Sequence, residues 1–180
     1  MVGISGEDVL RVLEERLPEL NPCLRNRMLE DVRLHGRQYL RDHLQAMPYA
    51  LEILQNLKDN GYKLCIGTTT SRSLTIERLK QTGLLAFFEV LVCGDEVRSR
   101  KPDPEVYCRV CSIAGIPADK TLVVEDTGYG VEAAVKAGCS VIMVPSLNPA
   151  DEKDKENAFS VVNSLKEAWE IINHYFYKAA

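Results

Sequence analysis

The sequence predicts an α/β fold, a parallel sheet with helices on both faces, preceded by a helical segment. Three observations predict it. From Tyr62 onward, short apolar runs alternate with amphipathic stretches, and the runs are continuously apolar, as strands covered on both faces are. Glycines at 61, 83, 115 and 138 close successive helical stretches. Residues 1–45 carry helical spacing and precede the alternation. The expected organisation is a helical subdomain over 1–45 and an α/β core over 46–180, with no internal repeat.

In chain order, Val9, Leu10, Val12, Leu13 and Leu17 set a helix over 7–17 with Ser5 as a candidate N-cap. Asn21-Pro22 interrupts it, and a second helix is expected from about Leu24 to Leu44, with a possible break at Gly36. Pro48 opens a third helix, Tyr49–Asn60, whose Leu51, Ile53, Leu54 and Leu57 are apolar. Residues 63–68 read as a first strand, with a helix over Leu74–Thr82 after it. Val90–Cys93 is a second strand, and the Lys101-Pro102-Asp103-Pro104 turn leads into a helix over Glu105–Ala114. Thr121–Glu125 and its helix Tyr129–Ala137 follow, then a strand over Val141–Val144. Asn148–Asn157 is polar and reads as a loop; Ser160–Val162 reads as a small edge strand before a last helix, Ser164–Tyr175.

Composition narrows the function classes. The 180 residues are 46% hydrophobic and 27% charged, with a formal net charge of −4. That excludes collagen, low complexity and wholesale disorder, and offers no basic footprint for nucleic acid. No apolar run approaches the roughly 18 residues of a membrane span, and the first residues lack the blocks of a secretory signal. Of six cysteines, Cys65, Cys93 and Cys139 lie in or beside apolar segments, which favours reduced, packed thiols and a cytoplasmic location over disulfides.

Ligands of parallel sheets bind beyond the carboxyl ends of the strands. There the first strand ends in Thr68-Thr69-Thr70-Ser71, the second leads to Lys101, and the third ends in Glu125-Asp126-Thr127-Gly128. Hydroxyls and backbone N–H groups at a helix start bind phosphate oxygens, a lysine adds a point charge, and adjacent carboxylates can hold Mg²⁺. Each part also has a plainer reading. The hydroxyls can simply cap a helix, Lys101 can be a solvated lysine in a Pro-rich turn, and Asp126 can cap the next helix. The ordered set favours phosphate chemistry.

The set resembles the haloacid dehalogenase-like (HAD) superfamily, in the branch of β-phosphoglucomutase and small phosphomonoester phosphatases with a helical cap. The segments "KLCIGTTTSRS", "GDEVRSRKPDPEVY" and "LVVEDTGYGVEAAVKAG" are similar to that family's second, third and fourth motifs. The resemblance implies a Rossmann-like core over 46–180 and a partial helical cap over 1–45. It implies Thr68, with Thr69, as phosphate-binding groups and Lys101 as the lysine of phosphate and nucleophile. Glu125 and Asp126 stand at the metal-site carboxylates. The implied activity is Mg²⁺-dependent hydrolysis of a small phosphorylated metabolite, or a phosphomutase-like transfer.

Two departures qualify it. The family's nucleophile is the first aspartate of an Asp-x-Asp motif that closes a central strand ahead of the cap, and its attack forms an aspartyl phosphate. No aspartate in this sequence has another two positions on. Low or absent activity and weak or absent Mg²⁺ binding are the corresponding expectations. In the family that strand lies between those ending here at Thr68 and Glu125. Three arrangements are open: a fragment of a longer protein, a sheet closed without the strand, or another chain, including a second copy of this one, covering the gap. A non-catalytic binding or oligomerisation module is therefore the alternative reading. Gly6, in Gly3-Ile4-Ser5-Gly6-Glu7-Asp8, stands where sugar-phosphate members often carry arginine, which weakens the mutase-like reading.

Other residues invite weaker readings. Cys108-x-x-Cys111 falls inside an expected helix, without a second zinc-spaced pair, and reads as packing. Arg33, Arg37 and Arg41 share a helix face, solvated or facing an anionic substrate; His35, His43 and His174 have no partner pattern. Trp169, Tyr175, Phe176 and Tyr177 read as packing rather than a docking surface.

Overall fold

The computed structural model describes residues 14–146 and 148–176, apart from the side chains of Arg33, Arg37, Leu40, Arg41 and Phe176. The expected helix over 7–17 therefore lies outside the described residues except for 14–17, of which 14–16 are helical and Leu17 is not, and Ser5 and Gly6 lie outside them too. The chain divides into two compact units, Met1–Gln45 and Ala46–Ala180.

In the first unit, helix α1 spans Pro22–His43. It starts two residues before the expected Leu24, because Asn21-Pro22 is a start signal rather than an interruption. The Asn21 side chain accepts from Cys23 N at 2.8 Å, and Pro22 takes the first helical position, where no N–H is needed. The helix runs unbroken through Gly36, where an added Cβ would have no neighbour within 4 Å among the described residues. Arg25 is buried, donating to Pro18 O at 2.9 Å and lying 3.3 Å from Glu14.

The second unit runs α2 (Ala50–Asp59), β1 (Cys65–Gly67), α3 (Arg72–Gln81), β2 (Val90–Val92), α4 (Glu105–Ala114), β3 (Leu122–Glu125), α5 (Gly128–Lys136), β4 (Ser140–Met143), α6 (Glu152–Asn157), β5 (Ser160–Val161) and α7 (Leu165–Ile171). Every strand pair is parallel, as the α/β reading requires. Alternate residues of β4 serve different cores, as a strand's period of two dictates. Val141 and Met143 join Val92, Val123, Val106, Val110, Val131 and Ala134, so α4 and α5 cover one face. Ile142 and Val144 join Val162, Ala168, Ile172 and Leu57, so α2 and α7 cover the other.

Three differences from the sequence reading have local causes. The segment read as a loop contains α6, built on a capping box in which the Asp151 side chain accepts from Asp154 N and the Asp154 side chain from Asp151 N. The last helix is α-helical only over Leu165–Ile171 and continues as a wider π turn over Ile172–Phe176. Short 3₁₀ turns at Leu85–Phe87 and Ala118–Lys120 precede β2 and β3.

The sheet is in two pieces. Among the described residues β1 pairs only with β2, and β3 pairs with β4, which pairs with β5. Among the described residues, β1 has not closed on β3. Leu64 O and Thr68 N bond toward β2, so the peptide groups of Cys65 and Gly67 face the other way. Thr121 O and Glu125 O bond toward β4, which leaves those of Leu122 and Val124 on the open side of β3. Val124, in the middle of the sheet by sequence, is 43% exposed.

Candidate active site

The carboxyl ends of β1 and β3 meet at one lysine. Lys101 Nζ donates to Gly67 O, the last residue of β1, at 3.1 Å, and to Tyr107 Oη at 2.8 Å. Its third partner is Glu125 Oε1, at the end of β3. The two charged side chains are 10% and 8% exposed. Tyr107 donates its own hydroxyl to the same Glu125 oxygen. Burial and the neighbouring Glu125 charge push the Tyr107 phenol far up, so it stays protonated.

The lysine loop is held by groups that sequence reasoning did not single out. Glu105 Oε2 accepts from Arg98 N at 2.9 Å and Ser99 N at 2.8 Å. Those N–H groups, Ser99 first, hold the Glu105 carboxyl below the usual carboxylate range. Glu105 opens α4, which also carries Tyr107, so one helix start fixes both the loop and the lysine's partner. At the other end, Cys93 N and Arg72 both bond Glu96, and Arg72 N bonds Asp95 at 2.9 Å. A sequence signal existed for Glu105, since an acid opening a helix after a Pro turn commonly serves its N-terminus. Tyr107 gave none, because a tyrosine at a helical spacing reads as packing.

The hydroxyl cluster is half-buried and lies in the turn between β1 and α3. Thr68 Oγ1 accepts from Thr70 N at 3.1 Å, which shapes the turn. Ser71 is the N-cap of α3 by position, but its side chain makes no capping bond, so the plain capping reading does not account for the cluster. Thr69 is pressed from behind by Gly94, where an added Cβ would overlap the Thr69 backbone, and Gly94 N bonds Thr70 O at 2.8 Å. Lys101 stands next to Thr68 through the Gly67 carbonyl.

The adjacent carboxylates diverge. Glu125 Oε2 accepts from Asp126 N at 3.1 Å and from Thr127 Oγ1 at 3.4 Å, so both its oxygens are engaged. Asp126 Oδ2 accepts from Ser146 Oγ at 2.8 Å. The reading of Asp126 as a helix cap is corrected: α5 begins at Gly128, and the residue before it, Thr127, accepts from Gly130 N at 3.2 Å. A Mg²⁺ ion needs near-octahedral oxygen ligands. Among the described residues no three His, Cys, Asp or Glu side chains gather as a metal site.

Cys111 and Cys139 are buried with sulfurs 4.0 Å apart, and all six cysteines are free thiols. Cys108 is exposed on α4. His35 and His43 each bond the carbonyl four residues earlier in α1. The side chains of Arg33, Arg37 and Arg41, and all of Tyr177, lie outside the described residues. His174 and Phe159 make edge contacts to Tyr175, which is exposed. No helix among the described residues is long and apolar enough to cross a membrane.

A profile of haloacid dehalogenase-like hydrolases matches residues 1–144. A phosphorylated carbohydrates phosphatase of Thermotoga maritima is 33% identical over 175 residues, covering 93% of this chain and 80% of that protein. A phosphoglycolate phosphatase of Thiobacillus denitrificans is 31% identical over 165 residues, 89% of this chain and 71% of that one. The crystal structure of a candidate β-phosphoglucomutase from Thermotoga maritima superposes with a TM-score of 0.78 at 26% identity, covering 97% of this chain and 80% of that one.

Proposed function

Because this chain belongs to the haloacid dehalogenase-like hydrolase family, we propose that its rim of Thr68, Thr69 and Lys101 binds the phosphoryl group of a small phosphorylated metabolite, and that the reaction served is phosphomonoester hydrolysis. The observation that carries the reading is the buried ammonium of Lys101, hydrogen-bonded at the end of β1 beside Thr68. A fixed cation next to hydroxyls and the start of α3 supplies charge, donors and a helix N-terminus to one oxyanion. The relatives named as phosphatases support the same chemistry. The mutase-like variant has less support, since Gly6 replaces the arginine expected of it.

Binding and turnover are separate expectations. The phosphate-holding residues are present, whereas the sequence holds no Asp-x-Asp pair to attack. The chain is expected to bind inorganic phosphate and to turn over an aryl phosphate with Mg²⁺ poorly or not at all. A phosphate titration followed by calorimetry tests the first part. A hydrogen bond to a charged group contributes about 1.5–3 kcal/mol, so Lys101→Ala should weaken binding roughly 10- to 100-fold and Thr68→Ala by less. Phosphate affinity untouched by both substitutions would sink the reading. Brisk aryl phosphate turnover that Lys101→Ala abolishes would show a working nucleophile and overturn the second part.

One observation favours a second reading. The unpaired edges of β1 and β3 suit a non-catalytic module in which another copy of the chain covers them. Light scattering separates the two: a monomer at micromolar concentration argues against the covered edge, and a stable dimer supports it. The six free thiols support a reducing, cytoplasmic compartment.

A further inference from the structure

An ammonium has three N–H donors and no acceptor. All three of Lys101's are spent: on Gly67 O, on Tyr107 Oη and on Glu125 Oε1. An incoming phosphoryl oxygen must therefore displace one partner. The three differ in what they lose. Glu125 is a charge with little exposure, and unpairing a buried charge is strongly unfavourable. Tyr107 Oη is bonded on both sides, accepting from Lys101 and donating to Glu125, so displacing it breaks two contacts at once. Gly67 O is neutral and lies farther from the ammonium than Tyr107 Oη does, 3.1 Å against 2.8 Å. It also belongs to the residue before Thr68. The donor bonded to it therefore ends on the residue that adjoins the hydroxyl cluster.

From this arrangement we infer that Tyr107 is a positioning residue: its hydroxyl ties Lys101 to Glu125 so that two donors of the ammonium stay fixed and the third, now on Gly67 O, is handed to a phosphoryl oxygen. The inference rests on the phosphate reading of this rim. Three further contacts keep the hydroxyl in place. The ring lies against Gly67, where an added Cβ would sit 3.2 Å from Tyr107 Cε1. The lysine ammonium lies 4.7 Å from the ring centroid. Glu125 is pinned from behind through its other oxygen by Asp126 N and Thr127. Sequence spacing shows none of this, because Tyr107 and Val106 look alike as inward positions of one helix.

Tyr107→Phe isolates the hydroxyl. It keeps the ring against Gly67 and removes only the two hydrogen bonds, so a purely packing role would leave the lysine unchanged. The full chain, labelled with ¹⁵N-lysine, would be compared as wild type and Tyr107→Phe, with the Lys101 Nζ resonance assigned through Lys101→Arg and circular dichroism confirming the fold. Without phosphate, the wild type should show a Lys101 ammonium whose protons exchange slowly, and Tyr107→Phe should broaden or lose it. With inorganic phosphate added, the wild-type signal should shift, and Tyr107→Phe should bind roughly tenfold more weakly, as loss of one charge-assisted bond implies. An unchanged Lys101 signal in Tyr107→Phe would overturn the inference whatever the phosphate result. A wild-type signal that ignores phosphate while Tyr107→Phe releases the ammonium would sink the phosphate reading instead, and would support the tie between Tyr107 and Lys101. Tyr107→Leu, which removes ring and hydroxyl together, should not restore the signal; restoration would overturn the inference.

Discussion

Lys101 and Glu125 are each among the residue types least tolerated in a protein interior, and here they are buried together. A buried pair is weak as a net stabiliser, but removing one partner strands the other, at about 3–5 kcal/mol. Lys101→Met should therefore lower the free energy of urea unfolding by about that amount, whereas Lys101→Met combined with Glu125→Gln should recover part of it. Equal losses in single and double variants would contradict the pairing. A second residue-scale consequence concerns pH. Burial, and then the Cys111 thiol 4.0 Å away, push the Cys139 thiol up from 9.0 to about 12. A group whose folded pKa is raised contributes stability that is intact below its unfolded value and is lost as pH climbs through the folded one. Unfolding free energy should thus fall between about pH 9 and pH 12, and Cys139→Ala should flatten that slope; an identical slope in the variant would rule the thiol out. Thr68, Lys101 and Glu125 were legible in the sequence because their chemistry announces itself at strand ends. The acceptors that fix Lys101 were not, since Tyr107 sits at a packing position and Gly67 contributes only a carbonyl.

At the scale of elements, legibility followed the strength of the local pattern. The helix over Glu105–Ala114 was read to the residue, because Pro104 starts it and Gly115, at φ 67°, ends it. The strands were read to within one or two residues, since apolar runs mark the buried part and not where pairing stops. Helix α6 was missed for the opposite reason: its sequence, EKDKEN, has no apolar face, and its start is specified by Asp151 and Asp154 alone. That dependence is testable. Asp151→Ala removes the cap accepting from Asp154 N and should cost about 0.5–2 kcal/mol, with exchange of the α6 amides accelerating first. No change in those amides would show that α6 is held by packing instead. The turn after β2 depends on a close approach rather than a cap. Gly94→Ala would set a Cβ against the Thr69 backbone, which cannot swing aside as a flexible side chain can. Overpacking of this kind costs about 1–3 kcal/mol. Because the displaced backbone is the hydroxyl turn itself, phosphate affinity should fall along with stability. Affinity that survives the loss of stability would separate that turn from the site.

For the core as a whole, one strand carries both faces. β4 gives Val141 and Met143 to the side of α4 and α5, and Ile142, with Val144 just beyond the strand, to the side of α2 and α7. The sheet it anchors is nevertheless divided, with β1–β2 and β3–β4–β5 sharing no ladder among the described residues. What links the two pieces is α4, whose Val106 and Val110 share a core with Val92 and Val123, together with the tie from Lys101 to Gly67 O and Glu125. Side chains thus replace backbone pairing across the gap, and the two can be told apart by amide exchange, which reports whether an N–H is bonded. The N–H groups of Ile66 and Val123 face a paired neighbour, whereas those of Cys65, Gly67, Leu122 and Val124 face the open side. In the isolated chain the second group should exchange at least roughly tenfold faster than the first, although both sit in the same strands. Equal protection in the two groups would mean that a ladder spans the gap, supplied by direct closure or by another strand. If that protection appeared only as protein concentration rose, the strand would come from a second copy. A concentration-independent result would instead place the closing strand within the chain and overturn the division of the sheet.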